Sequence, residues 1–142
     1  MANLIINLTQ HIMTQEQYFL NNEELTEVKF RPYNGTSISS PDYIKKLLNF
    51  NSIPSKKEIV SNAIALAAYA SGLLNQVKND DDKLYALIGG APYLMSPLEE
   101  ALKNEGITPL YAFSQRESVE TISADGTVVK TAVFKHIGYI EA

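Results

Sequence analysis

The chain has 142 residues, of which 45% are hydrophobic and 20% charged, with a formal net charge of -4 and no cysteine. This length suits one domain with a sizeable core, so we expect residues 1–142 to form a single domain, and the composition excludes a disordered chain. The absence of cysteine excludes disulfides and thiolate metal sites, and the acidic charge argues against a protein that binds long nucleic acids.

The beginning of the chain predicts a strand, a short helix and a second strand. The apolar run in Asn3–Thr9 is typical of a buried strand. Thr14 is a candidate N-cap, and Gln17 completes a capping box, which predicts a short helix from Gln15 to about Leu20. Apolar and basic residues alternate over Glu27–Arg31, as in a strand with one buried face.

Two longer helices are predicted next, after a turn-rich segment that contains Asn34-Gly35. A Ser-Pro pair predicts the first helix, over Ser40–Phe50. Ser55 and Glu58 form a capping box for the second helix. Its apolar residues recur at helical spacing: Ile59, Ala63, Ala67, Ala70 and Leu74. This alanine-rich stripe indicates a core face, with a dimer seam as the alternative.

The next elements are a strand, a glycine turn, a helix and a strand. The apolar run Leu84–Ile88 predicts a buried strand, and Gly89-Gly90-Ala91-Pro92 follows it at once. A Ser-Pro pair at Ser96 starts or restarts a helix, which Gly106 ends as a glycine just past its C-terminus. Thr108–Ser114 then predicts a third core strand.

The end of the chain predicts a β-hairpin over about residues 118–140. Val119–Ser123 and Thr127–Phe134 flank Asp125-Gly126, and Asp-Gly is a strong hairpin signal. Apolar strands that alternate with helices predict a parallel sheet with helices on both faces. The predicted fold is therefore a small Rossmann-like α/β domain of three layers, with a mainly parallel sheet and a C-terminal β-hairpin.

Three polar loops follow the predicted core strands. In such sheets ligands bind outside the carboxyl ends of the strands. Backbone N–H groups at a helix N-terminus favour an anion, and an arginine matches phosphate oxygens in a bidentate manner. The candidate ligand-binding loops are Thr9-Gln10-His11, Gly89-Gly90-Ala91 and the segment from Ser114 through Gln115 and Arg116 to Ser118.

Each of these candidates also has a purely structural interpretation. The Gly89-Gly90 pair is equally suited to a tight strand-to-helix turn. Arg116 can be a solvated side chain paired with a neighbouring glutamate, and His11 can cap its own turn. Thr9 and Gln10 can satisfy backbone groups at the strand end.

Features that are missing from the sequence argue against a metal site, a membrane span and secretion. The histidines, His11 and His136, do not have metal-binding spacing, so we expect no metal site. The stretch Ile59–Val77 is too polar to span a membrane, and the N-terminus lacks a secretion signal. We therefore expect a cytoplasmic protein with no membrane partner.

Both ends of the chain resemble small CRISPR-associated ring-nuclease-like proteins, which are Rossmann-like and related to CARF domains. The shared order is a strand, a polar turn with histidine, a helix cap, and later a small-residue strand end, Arg-Glu, an Asp-Gly hairpin and Phe-x-His. The segments that carry the resemblance are Leu4–His11, Thr14–Gln17, Pro109–Ser114, Arg116–Ser118, Asp125–Lys130 and Val133–Ile137.

The resemblance implies a homodimer that binds a cyclic oligoadenylate, a small signalling nucleotide, across its two copies. It implies cleavage without metal or other cofactor, by attack of a ribose 2′-OH on the neighbouring phosphate. Arg116 would then stabilise the phosphorane, and His11 would act as general acid or base, since imidazole titrates near neutral pH. The ligand would be oriented by Thr9, Gln10, Ser114 and Gln115 and by the backbone N–H groups of Gly89, Gly90 and Ala91.

Three functions stay open at this point. The first is a metal-independent ring nuclease that acts in antiviral defence. The second is a non-catalytic sensor, or a sponge that sequesters a defence signal, which would use the same pocket. The third is a small interaction protein with no nucleotide ligand, in which the glycine loop is only a turn.

Overall fold

The computed structural model of the chain describes residues 2–29 and 40–142. The predicted turn at Asn34-Gly35 lies outside the described residues, as do the last two residues of the strand that was predicted over Glu27–Arg31.

The chain begins with the predicted strand and short helix. Strand β1 is Asn3–Asn7. A 3-10 helix follows at Gln15–Tyr18, shorter than the predicted one. At its start the side-chain oxygen of Gln17 accepts a hydrogen bond of 2.8 Å from the backbone N–H of Thr14. This is the reach of Gln17 back to the cap that the Thr-x-x-Gln spacing predicts.

The second predicted strand is displaced in the structure. Strands β2, Phe19–Leu20, and β3, Glu23–Glu27, pair antiparallel. Asn21 and Asn22 connect them with φ of 50° and 68°, which matches a two-residue type I′ turn. The prediction over Glu27–Arg31 was therefore wrong in position, because this asparagine turn, and not the later alternation, decides where the strand starts.

Both longer helices in the middle of the chain are confirmed. They are α1, Ser40–Leu48, and α2, Lys56–Val77. The Ser55 hydroxyl accepts a hydrogen bond of 3.1 Å from the backbone N–H of Glu58, as its cap position predicts. The alanine stripe of α2 is buried in the core, which accounts for it without a dimer seam. No helix in the described part of the chain is long and apolar enough to cross a membrane.

The next strand and helix are confirmed with shifted bounds. Strand β4 is Lys83–Leu87, and helix α3 is Pro92–Asn104, so the helix starts earlier than the predicted Ser96. Gly106 ends it with φ of 74°. The N–H groups of Gly106 and Ile107 donate to the carbonyls of Lys103 and Leu102, each at 3.0 Å. This is a Schellman motif, and it explains why a glycine follows the helix.

Strand β5 is much longer than the predicted strand Thr108–Ser114. It is Thr108–Ile122, and it pairs antiparallel with β6, Val128–Glu141, from Leu110 to Ile122 with an irregularity between Phe113 and Ser114. The prediction of a loop after Ser114 was wrong, because β6 offers hydrogen-bonding partners all along this segment. We call residues 114–136 the arm.

The described strands form one mixed sheet in the order β2-β3-β1-β4-β5-β6. Strands β3, β1, β4 and β5 run parallel to one another, whereas β2 and β6 are antiparallel at the edges. Numbered along the chain, the parallel strands have the order 2-1-3-4. The protein is thus a mixed α/β fold with a mostly parallel sheet, as predicted at that level.

The two faces of the sheet are covered differently. Alternate residues of β1 enter two separate cores: Leu4 and Ile6 pack with α1, α2 and α3, whereas Ile5 packs with Leu87 and Leu110 beneath the 3-10 helix segment. The prediction of helices on both faces was therefore wrong: in the described residues α1, α2 and α3 all pack on one face of the sheet. The cause is the short connection after β1, which contains only four helical residues.

Candidate functional site

A cavity of about 580 Å³ lies where β1 and β3 end, next to α1. Parallel strands present their carboxyl ends at one edge of a sheet, and ligands of open α/β sheets bind there. The cavity volume falls in the range of ~300–1,000 Å³ that is usual for small-molecule sites. Its apolar wall includes Met13, Val28 and Ile44. This edge is the candidate functional site.

The turn after β1 is held by the side chain of Asn7. The Asn7 Oδ1 accepts hydrogen bonds from the backbone N–H of Thr9 at 2.9 Å and from its hydroxyl at 2.6 Å. The Asn7 Nδ2 donates to the backbone carbonyl of His11 at 2.6 Å. Asparagine is suited to such a local turn. The Thr9 hydroxyl therefore orders the loop, as the structural interpretation of this residue expected.

The amide of Gln10 connects this turn to the end of α1. Its Nε2 donates to the Oδ1 of Asn49 at 3.2 Å, and the Nδ2 of Asn49 donates back to the Gln10 Oε1 at 3.3 Å. Asn49 also donates to the carbonyl of Lys45 at 2.8 Å. Gln10 thus positions α1 against the cavity, and a ligand that used its amide would displace this pair.

His11 and Ile12 form the outer rim of the cavity. Both side chains are exposed, Ile12 to 92%. An apolar side chain so open to solvent gains contact area when a ligand or partner covers it. The structure thus brings Thr9, Gln10 and His11 together at one site, as predicted from their place after the first strand.

Glu27 and Tyr18 belong to the cavity, and neither was predicted from the sequence. Glu27 is the last residue of β3, and its Oε1 accepts a hydrogen bond of 3.3 Å from the Tyr18 hydroxyl. Burial, and then the charge of Glu27, raises the pKa of Tyr18. A signal existed: an acidic residue roughly 20 positions beyond the end of the first strand is where nucleotide-binding α/β sheets hold a ribose.

Among the described residues that line the cavity are two lysines, Lys29 and Lys45, and neither was predicted from the sequence. Lys29 lies just after β3, and Lys45 lies on α1, with both side chains exposed at the cavity wall. An ammonium group serves as a point charge for a phosphate. Periodicity could not find them, because only the packing of α1 next to β3 brings the two lysines to one wall.

The glycine loop lies beside the site but does not line the cavity. A Cβ on Gly89 would be 3.6 Å from the Thr9 Cγ2, so the loops after β1 and β4 are neighbours. Gly90 has φ of 146°, a conformation that favours glycine. The described residues that line the cavity do not include Gly89, Gly90 or Ala91. A ligand would reach these backbone N–H groups only by extending past Thr9.

Ser114, Gln115 and Arg116 are not in a loop at this edge, which corrects their predicted place. All three lie within β5 on the arm, where Arg116 pairs with Phe134. Their side chains are exposed, and they are not among the described residues that line the cavity. The predicted convergence of three loops is therefore reduced to the turn after β1 and the adjacent glycine loop.

Residues 3–140 match the family described as the uncharacterized protein MJ1673 family. The chain belongs to this family. The match spans residues of the sheet, the α-helices, the cavity and the arm. No curated protein and no solved structure matches the chain.

His136 is a second titratable group of interest, at the base of the arm. Both of its ring nitrogens are buried without a hydrogen-bond partner among the described residues. Its ring packs on Tyr139 with the centroids 4.9 Å apart. Burial lowers the pKa of His136, and the nearby Glu16 opposes this shift. Within residues 2–29 and 40–142, no group of three or more His, Asp or Glu side chains is placed to hold a metal ion.

Proposed function

We propose that the protein binds a signalling nucleotide of the cyclic oligoadenylate type at the cavity and opens its ring without a metal. In this proposal the protein is related to CRISPR-associated ring nucleases and acts in antiviral defence. The sheet is a reduced Rossmann-like domain, with the 3-10 helix segment as the thin third layer.

The observation that carries the proposal is the set of groups that share the cavity. Glu27 offers carboxylate oxygens to ribose hydroxyls, as an acid at the end of the second parallel strand does in nucleotide-binding sheets. Lys29 and Lys45 offer charge to phosphates. The ring of Tyr18 offers a surface for a base, a contact worth ~1–3 kcal/mol in other proteins. Together these groups match the three parts of a ribonucleotide.

The strand order supports the same class of ligand. The order 2-1-3-4 of the parallel strands is that of flavodoxin-like, doubly wound sheets, whose ligands bind beyond the carboxyl ends at the point where the order reverses. Here that point lies between β1 and β4. The turn at Thr9–His11, which lines the cavity, also borders this point, because Thr9 lies next to the glycine loop at Gly89.

Ring opening requires an exchange of bonds at one phosphorus atom. The ribose 2′-oxygen attacks the adjacent phosphate, the bond to the 5′-oxygen breaks, and the products are a 2′,3′-cyclic phosphate and a 5′-hydroxyl. His11 takes the proton from the 2′-hydroxyl or gives one to the 5′-oxygen, since its imidazole lies on the cavity rim. The remaining work is alignment of the attacking and leaving oxygens.

A ring of four or six AMP units is larger than this single cavity. The proposal therefore includes a homodimer in which each copy holds part of the ring. In such a dimer both cavities bind the same ring, so binding at one cavity raises the effective concentration of the ligand at the other.

The position of Arg116 supports a second candidate function, a non-catalytic sensor or sponge. Arginine is the residue that best stabilises a phosphorane, and here it lies on the arm and outside the described cavity lining. Binding without cleavage requires only the groups that remain at the cavity.

The test is incubation of the purified protein with cyclic tetra- and hexa-adenylate in EDTA, followed by chromatography and a thermal-shift assay. Linear products with 2′,3′-cyclic phosphate ends would establish the ring nuclease. A raised melting temperature with unchanged ligand would establish the sensor or sponge. Neither effect would contradict the proposal and favour an interaction protein with no nucleotide ligand.

Matched lysine variants locate the site. Lys45→Gln should weaken the thermal shift by removing a charge at the cavity, whereas Lys46→Gln should retain it, since the neighbouring lysine does not line the cavity. Glu27→Gln and Glu24→Gln form a second pair on β3, with Glu24 outside the cavity. Equal effects within each pair would show that binding depends on net charge and not on this cavity.

A further inference from the structure

The arm is a two-stranded ribbon without support from the rest of the described chain. The parallel pairing of β4 with β5 stops at Leu110, so beyond this point β5 pairs only with β6. Nearly all described side chains of the arm are exposed. An isolated two-stranded ribbon is marginally stable in water and needs a third strand or a covered face. A surface that covers the arm is therefore expected.

One face of the arm is uncharged along its outer half. Residues directly opposite each other on paired strands point to the same side, and the side alternates along each strand. The pairs Val119↔Thr131, Thr121↔Val129 and Glu117↔Val133 thus share a face. We call this the valine face; its five β-branched residues are Val119, Thr121, Val129, Thr131 and Val133.

The opposite face of the arm is less suited to burial. It carries the cross-strand pair Glu120↔Lys130 near its centre, whose charged groups lie 3.6 Å apart and exposed. Removing such a pair from water has a desolvation cost that the ion pair does not reliably offset. The valine face has no charge among its three outer valines and two threonines, so it is the face that can be covered at least cost.

We propose that the valine face binds the valine face of a second copy of this chain. The two arms lie face to face and point the same way, related by a twofold axis that runs parallel to the ribbons between them, so β5 of each copy stacks on β6 of the other. Val119 then lies over Thr131 of the other copy, and Thr121 over Val129. Closed twofold pairing of one self-complementary patch is the commonest form of assembly.

The charges on this face are complementary in that arrangement. At the base of the valine face, Glu117 is on β5 and Lys135 is on β6. Stacking β5 on β6 brings the acid of each copy within side-chain reach of the base of the other. The uncharged centre is then bordered at its base by two acid–base pairs, which form a polar edge to an apolar centre.

The size of the arm is sufficient for a specific dimer. Nine residues per strand extend for roughly 30 Å, and covering one such ribbon face in each copy buries on the order of 1,000 Å², near the lower end for specific interfaces. This pairing surface does not require a nucleotide, so it stands or falls separately from the ligand proposal.

The first test is the molar mass of the protein in solution, measured by light scattering and sedimentation without nucleotide. The unaltered chain should be a dimer. Val129→Lys and Val128→Lys are matched variants, because these neighbouring valines are 47% and 53% exposed but lie on opposite faces of the arm. Val129→Lys should weaken dimerisation about 100-fold or more, since each dimer would bury two unpaired ammonium groups. Val128→Lys should remain a dimer.

The second test uses Glu117→Lys and Lys135→Glu in separate chains. Each variant alone carries two like charges at the base of its valine face, so it should be monomeric or much weaker as a dimer. A mixture should form heterodimers, because the acids of one chain then face the bases of the other. Pairing of charges within one chain cannot produce this rescue.

Several outcomes would overturn the proposal. A monomeric unaltered chain at high concentration would mean that another protein, or nothing, covers the arm. A Val129→Lys variant that dimerises as well as Val128→Lys would place the interface elsewhere. If both valine variants lost the dimer, the mixture would decide: heterodimers would support the pairing surface, and their absence would reject it.

Discussion

The sheet core and the arm use similar strand residues, yet the two regions treat them in opposite ways. Ile5 and Ile6 of β1 are fully buried, because neighbouring strands flank β1 on both sides and separate hydrophobic clusters cover its two faces. The valines of the arm stay exposed, because β5 and β6 have only each other there. The comparison shows that the number of covering layers, and not residue type, decides which of these side chains are buried.

The largest expected effect is the difference in stability between a truncation in the sheet core and one on the arm. Leu98→Ala removes a fully buried side chain of α3 and leaves a cavity, so it should lower the free energy of unfolding by about 2–5 kcal/mol. Val133→Ala on the arm should change it by less than about 0.5 kcal/mol in dilute solution, as for other exposed positions. Chemical denaturation of both variants measures the difference.

The contrast would be contradicted by equal destabilisation in the two variants. That result would mean that the arm folds as one cooperative unit with the sheet. The measurement should also be repeated at a high protein concentration. Dimerisation through the valine face would then add stability, and Val133→Ala should reduce that addition.

An intermediate effect is expected at two glycines with similar backbone conformations. Gly106 and Gly126 have φ of 74° and 85°, and an added Cβ would meet no atom within 4 Å at either. Gly106→Ala should therefore lower the free energy of unfolding by about 1 kcal/mol through backbone strain alone, because this exposed glycine ends α3, whose inner face belongs to the core. Gly126→Ala has the same local cost, but it should change the free energy of global unfolding by less than about 0.5 kcal/mol, because the tip of the arm can open by itself.

Hydrogen exchange distinguishes the two glycine variants more directly. Gly126→Ala should speed exchange only in the arm, and Gly106→Ala should speed it throughout the core. Faster exchange of core amides in Gly126→Ala would show that the tip of the arm is coupled to the sheet.

The smallest effect concerns His136, where the arm meets the core. Burial lowers its pKa below the ordinary value of 6.5, so the folded state favours the neutral ring. Its contribution to stability should be complete above pH 6.5 and should decline as the pH falls from there through the lower folded-state pKa. Melting temperatures between about pH 8 and 5 should show this decline.

His136→Phe keeps an aromatic ring on Tyr139 and removes the ionisation. The melting temperature of this variant should therefore fall less than that of the unaltered chain as the pH is lowered. His11→Gln is the comparison for the other histidine. A decline that disappeared in His11→Gln and persisted in His136→Phe would contradict the prediction that His136 causes it.

Local sequence signals predicted the elements whose ends are decided by nearby residues. Helix α2 begins after Ser55 because that hydroxyl caps the helix, and α3 ends at Gly106 because only glycine readily adopts its φ. The site was predicted in part for the same reason: Thr9, Gln10 and His11 follow a strand directly. Glu27 was missed although its spacing from β1 was a signal, and Lys45 was missed because its place at the cavity depends on where α1 lies relative to the strand ends.

The sequence by itself thus determined the helices, the strands β1 and β4 and the polar turn after β1, since capping, periodicity and turn residues act over a few positions. Tertiary structure alone decided which face the helices cover and which groups share the cavity. It also decided that Arg116 lies on the arm, because β6 pairs with β5 well beyond the predicted end at Ser114. Backbone hydrogen bonds to a distant strand prolonged this element where local composition indicated a loop.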